Sequence, residues 1–126
     1  MNEMSSLFQR FLRSYRRNEV VFKEGDLGSE MFIIHCGKVR IVKKIRKGNE
    51  RFLTILETGE FFGEMALIDN SPRSALVIAE EDSTELIVLD KPKFTYMVQQ
   101  LSDFSLAIME RLAQRLRETN MQRVSD

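Results

Sequence analysis

The sequence has 126 residues, 43% of them apolar and 30% charged, which suits a single packed domain that buries roughly two thirds of the surface of its unfolded chain. Nineteen basic residues balance nineteen acidic ones, giving zero formal net charge and a pI near 6.6, and this argues against a nucleic-acid binder, whose domain usually carries a basic excess. No apolar run approaches the roughly twenty residues needed to span a bilayer and no secretory signal opens the chain, so no membrane role and a cytoplasmic location are expected.

At the N-terminus, Leu7, Phe8, Phe11, Leu12 and Tyr15 share one face at helical spacing, with Arg10, Arg13, Arg16 and Arg17 elsewhere. This predicts an amphipathic helix within residues 1–17, packed on the domain body rather than on a membrane surface.

From Val20 the period shortens. Val20 to Lys23, Met31 to His35, Lys38 to Ile45, Arg51 to Leu56, Ser74 to Ala79 and Thr84 to Leu89 are β-branched or aromatic runs, and glycines 25, 28, 37, 48 and 59 fall between them or at their ends. Short strands joined by turns are expected over residues 18–90, in a sandwich or barrel rather than a parallel sheet with crossover helices. Within this stretch lie the only histidine and the only cysteine, His35 and Cys36. They can form neither an internal disulfide nor a four-cysteine metal site. Haem ligation is conceivable for the pair, but a structural role is expected, with the cysteine a small buried hydrophobe.

After Asp90 the pattern returns to helix over residues 91–121. Pro92 falls in the first turn, where its missing N–H costs little, and Ser102 is the expected cap of a longer second helix. Along that helix Leu106, Met109, Ala113 and Leu116 recur three and four apart, with Phe104, Ile108 and Leu112 beside them and Arg111, Arg115 and Arg117 on the other face. The stripe is wide enough for the β body and a partner helix, so a homodimer through this helix is expected. Residues 122–126 are polar and expected to fray.

The chemistry is concentrated in residues 61–75, Phe-Phe-Gly-Glu-Met-Ala-Leu-Ile-Asp-Asn-Ser-Pro-Arg-Ser-Ala. Gly63 introduces a short helical turn, Glu64 to Ile68, whose start offers unpaired N–H groups to an anion that the glycine lets approach closely. Arg73 and Ser74 follow with a guanidinium fork and a hydroxyl for the same anion. Glu64 would repel a phosphate unless it has another task, such as accepting hydrogen bonds from a ribose hydroxyl. Together these groups suggest a sugar-phosphate ligand. No histidine stands beside a nucleophile and no metal cluster is legible, so no catalysis, metal or cofactor is expected.

Phe62, Gly63, Glu64, Ala66, Leu67, Pro72, Arg73, Ser74 and Ala75 match, without a gap, the phosphate-binding cassette of the cyclic-nucleotide-binding domain family, which the sequence closely resembles. The resemblance implies an antiparallel β-roll, a double-stranded β-helix of jelly-roll-like shape, mainly β with flanking helices. It also implies that Glu64 takes the ribose 2′-hydroxyl, that Arg73 pairs with the cyclic phosphate, and that Ser74 and the backbone from Gly63 through Met65 to Ala66 complete the cradle. Phe22-Lys23-Glu24-Gly25-Asp26, Met31 to Ile34, Gly37 and Val39 extend the similarity and are read as turn and core.

The closing helix, Leu112 to Thr119, is similar to the dimerisation helix of the bacterial catabolite activator branch, in which a Thr-Ser pair at this point reads adenine. Here the pair is Thr119-Asn120, whose amide both donates and accepts. The resemblance therefore implies a sensor of cyclic AMP, with cyclic GMP left open because Ser74 can contact guanine as well as phosphate. That branch continues into a DNA-reading helix-turn-helix, and this sequence stops six residues after Asn120. No nucleic-acid binding by this chain alone is expected, and the chain is read either as an excised sensor domain or as a natural single-domain protein signalling to a separate effector protein. A relative of the same fold with a lost or changed ligand is the competing reading.

Overall fold

The structure, a computed structural model, describes residues 9–44, 51–100, 106, 107, 110, 111 and 114. The chain divides into two compact units, residues 1–91 and 92–126.

Among the described residues, eight strands build the first unit: β1 (Leu12–Tyr15), β2 (Val20–Phe22), β3 (Met31–Cys36), β4 (Lys38–Lys44), β5 (Arg51–Glu57), β6 (Phe61–Phe62), β7 (Leu76–Ala79) and β8 (Thr84–Leu89). They pair antiparallel throughout, in two four-stranded sheets of order β1-β8-β3-β6 and β2-β7-β4-β5. Most neighbours in a sheet are distant in sequence, as in a jelly-roll-like β-roll. Alternation sets the faces: Val39 on β4 and Val77 and Ala79 on β7 point inward, while Ile34, Leu86 and Val88 meet them from the other sheet. Ile34, Val39 and Leu86 are wholly buried, and truncating such a residue to alanine costs about 2–5 kcal/mol.

The predicted runs from Val20 to Leu89 appear as strands with ends shifted by one or two residues. The N-terminal helix does not extend as expected. Residues 9–11 are helical, but Leu12–Tyr15 pair with β8 from Leu12↔Ile87 to Tyr15↔Thr84. Spacing of three between Leu12 and Tyr15 suits a helix, yet the open edge of β8 supplies ladder hydrogen bonds, and these decide the conformation. The chain then turns at Asn18, φ 69°, with Glu19 N–H donating to the Arg16 carbonyl at 3.0 Å.

Cys36 is also not the buried hydrophobe expected of it. It is exposed, as is His35, because the β3–β8 register slips between Ile34 and Cys36 just before the turn. That turn depends on Gly37, φ 90°, where a Cβ would fall 2.6 Å from Thr84 Oγ1 and 2.9 Å from Thr84 Cα. Thr84 is fully buried, with its hydroxyl 2.7 Å from the Glu81 carbonyl and 3.3 Å from that of Lys38.

Helix α1 (Glu64–Asp69) interrupts the sheets between β6 and β7. Helix α2 (Lys91–Gln100) has Pro92 in its first turn, as expected, and residues 106, 107, 110, 111 and 114 beyond it are helical. Ser102, Thr119 and Asn120 lie outside the described residues, as does most of the wide apolar stripe. No helix among the described residues is long and apolar enough to cross a membrane.

Candidate functional site

Arg73 lies on the extended segment between α1 and β7. Its N–H donates to the Asp26 carbonyl at 2.9 Å, and its own carbonyl accepts from Gly25 N–H at 2.7 Å. These two bonds tie the cassette to the turn after β2 and aim the side chain inward. The residue is only 6% exposed. Nη1 donates to the Gly63 carbonyl at 3.2 Å, and Cζ lies 4.2 Å from the Phe22 ring centroid and 5.5 Å from that of Phe32. None of the ion pairs among the described residues includes Arg73. Burial holds its pKa below the ordinary arginine value, with the fields of Glu30 and Asp26 opposing that shift. A buried cation without a contacting carboxylate is costly, and an anion entering from solvent relieves the cost.

Gly63 precedes α1 with φ 80° and ψ 10°, a left-handed conformation that suits glycine. A Cβ there would fall 2.8 Å from Arg73 Nη1 and 3.3 Å from the Glu30 carbonyl oxygen. The backbone angle favours glycine, and any side chain there would also have to push the Arg73 guanidinium aside. Glu64 follows as the first residue of α1, half-buried. The helix stops at Asn70, φ 58°, whose N–H returns to the Ala66 carbonyl. Asp69 then accepts from Ser71 N–H at 3.0 Å and from the Ser71 hydroxyl, and these bonds pull its carboxyl below the ordinary range. The resulting reversal brings residues 71–75 back along α1.

Between the two segments lies a pocket of about 310 Å³ lined by Phe22, Ile41, Phe62, Gly63, Glu64, Met65, Ala66, Ser71, Pro72, Arg73, Ser74, Ala75 and Val77. The structure thus brings nine sequence-predicted residues to one pocket: Phe62, Gly63, Glu64, Met65, Ala66, Pro72, Arg73, Ser74 and Ala75. Thr119 and Asn120 lie outside the described residues. Phe22, Ile41, Ser71 and Val77 were not predicted for the site. Phe22 stood in a recognised segment, but was read there as turn and core. Chemically, the lining combines apolar side chains with a guanidinium, a carboxylate and hydroxyls, which suits a small ligand with an anionic end.

The model of the cyclic nucleotide-binding domain matches residues 12–101. The chain belongs to that family. It is 38% identical over 117 residues to the cyclic AMP receptor protein of Thermus thermophilus, a match covering 93% of this chain and 53% of the relative. The crystal structure of the Thermus thermophilus catabolite activator protein matches with a TM-score of 0.80 and 33% identity, over 95% of this chain and 56% of that one. The mainly β architecture with flanking helices is thus that of the catabolite activator sensor region. An EAL enzyme matches in its cAMP-bound form with a TM-score of 0.60 and 38% identity, over 87% of this chain and 29% of that one. The same enzyme in a cGMP-bound form matches with a TM-score of 0.60 and 36% identity, over 88% and 29%. The chain spans about half the length of either Thermus protein.

Proposed function

We propose that this chain is a cyclic-nucleotide sensor whose pocket takes cyclic AMP, and that it regulates by binding, without catalysis. The observation that carries the proposal is the guanidinium of Arg73, buried beside a pocket, in contact with two aromatic rings and a carbonyl and with no ion-pair partner among the described residues. In the proposed complex the cyclic phosphate takes Arg73, the Ser74 hydroxyl and the N–H groups at the start of α1. Glu64 accepts from the ribose 2′-hydroxyl, and Ile41, Phe62 and Val77 cover the apolar surface of the ligand. The pocket volume is at the lower end of the range for small-molecule sites, about 300–1,000 Å³.

Cyclic AMP is preferred to cyclic GMP because of the similarity to the cyclic AMP receptor protein and because of Thr119. The cGMP-bound relative keeps cyclic GMP as the alternative. His35 and Cys36 are exposed at the end of β3 and do not line the pocket. The reading includes a homodimer through the helix of residues 102–120, with Thr119 and Asn120 contacting the base and ligand occupancy shifting that helix. A ligand shifts such an equilibrium only by its differential affinity for the two positions. Calorimetric titration with cyclic AMP, cyclic GMP and cyclic di-GMP tests the ligand. Saturable binding of cyclic AMP tighter than the other two supports the reading, and heat from none of them would leave the chain a relative with a changed ligand.

A further inference from the structure

The guanidinium of Arg73 sits in a slot with two aromatic walls and two glycine edges. Cζ is 4.2 Å from the Phe22 ring centroid and 5.5 Å from that of Phe32. At the edges, a Cβ on Gly28 would fall 2.7 Å from Nη2, and one on Gly63 2.8 Å from Nη1. Phe22 does not float in this slot. Its centroid is 5.7 Å from that of Phe32 and 5.9 Å from that of Phe62, while Phe32 and Phe62 stack 5.1 Å apart at 10°. Phe32 and Phe62 are also direct partners in the β3–β6 ladder. A ring held by two others is a fixed surface for the cation above it.

A buried cation can be held by a carboxylate or by the face of an aromatic ring. The carboxylate neutralises it, so an arriving phosphate must compete for it. The ring attracts through its quadrupole and carries no net charge, so the full positive charge stays available. We propose that Phe22 is a positioning residue for anion recognition, its ring taking the place of a carboxylate in holding the Arg73 guanidinium at the pocket with its charge unneutralised. The inference rests on the proposed reading of the pocket as a cyclic-nucleotide site. It explains why an aromatic residue of β2, far upstream of the cassette, lines that pocket: it acts on the ligand through Arg73. Simple packing explains an apolar residue at position 22 equally well, but does not distinguish an aromatic ring from an aliphatic side chain of similar bulk.

The test compares the wild-type chain with Phe22→Leu and Phe22→Tyr by two measurements. Titration with cyclic AMP should show an affinity loss of about 5- to 30-fold for Phe22→Leu, the span of a partly to fully desolvated cation–π contact, and a change within about two-fold for Phe22→Tyr, which keeps the π face. Nitrogen relaxation of the Arg73 Nε–H group, recorded without ligand, should show an ordered side chain in the wild type and Phe22→Tyr and a mobile one in Phe22→Leu. The relaxation measurement reads Arg73 directly and does not depend on which ligand the pocket takes. An unchanged affinity in Phe22→Leu, an Arg73 side chain as ordered there as in the wild type, or a Phe22→Tyr loss as large as that of Phe22→Leu would each overturn the inference. If the wild type binds neither cyclic AMP nor cyclic GMP while the relaxation pattern holds, the ligand reading fails and the positioning of Arg73 by Phe22 stands.

Discussion

Gly63 and Arg73 fit each other so closely that a methyl group on the first would lie 2.8 Å from Nη1 of the second. Gly63 is also the residue whose carbonyl accepts from that guanidinium, at 3.2 Å. Backbone shape and ligand charge are thereby coupled at one point. Gly63→Ala is expected to cost about 1–2 kcal/mol of stability from its left-handed backbone and, by displacing Arg73, to weaken cyclic-nucleotide binding roughly ten-fold or more. Thermal unfolding and titration of the same sample check the two effects. A variant that binds as the wild type does would show that the close approach is irrelevant to the ligand.

Glu64→Gln should separate ribose recognition from phosphate recognition. The substitution is expected to weaken cyclic AMP clearly and its 2′-deoxy analogue little, because the deoxy ligand has no hydroxyl for the carboxylate. Comparing wild type and variant across the two ligands gives the coupling directly. Equal losses would assign Glu64 some other task.

Gly37→Ala provides the opposite pattern. Its φ of 90° and the 2.9 Å approach of a Cβ to Thr84 Cα leave little room for relief by side-chain movement. A stability loss of about 1–3 kcal/mol is expected, with ligand affinity unchanged in the folded protein, since Gly37 and Thr84 do not line the pocket. Chemical denaturation with and without cyclic AMP measures both. An affinity change as large as that of Gly63→Ala would mean the β3–β4 turn communicates with the site.

The cassette was legible because its logic is local. Gly63 starts α1, Asn70 stops it, and Arg73 follows within one short stretch, so residue order alone implies their proximity. Strands β3, β4, β5 and β8 were legible from their short apolar runs. Leu12–Tyr15 was not, because four residues fit helix and strand alike until the edge of β8 is available to pair with them. Cys36 was misread because a register slip, which leaves no mark in composition, turns it outward. Phe22 and Gly28 belong to the setting of Arg73 but lie far upstream of it, and only the folded β2–β3 segment brings them together.

Ligand binding is expected to reach residues 112–120, the proposed closing helix, as well as the cassette. Hydrogen exchange with cyclic AMP present should slow in two places, residues 61–75 and residues 112–120. Protection confined to residues 61–75 would leave a binder whose ligand does not engage the helix.

Arg73 is the residue on which the proposed anion site depends most directly, and titration of the wild type and Arg73→Ala with cyclic AMP, paired with their thermal unfolding, tests it. Loss of a buried, hydrogen-bonded charge partner costs about 2–5 kcal/mol of binding, so affinity should fall roughly thirty-fold to several thousand-fold. The unfolding midpoint of the free protein should change little, because no contacting carboxylate is left behind as an unpaired charge. An Arg73→Ala variant that binds cyclic AMP as tightly as the wild type would contradict the account.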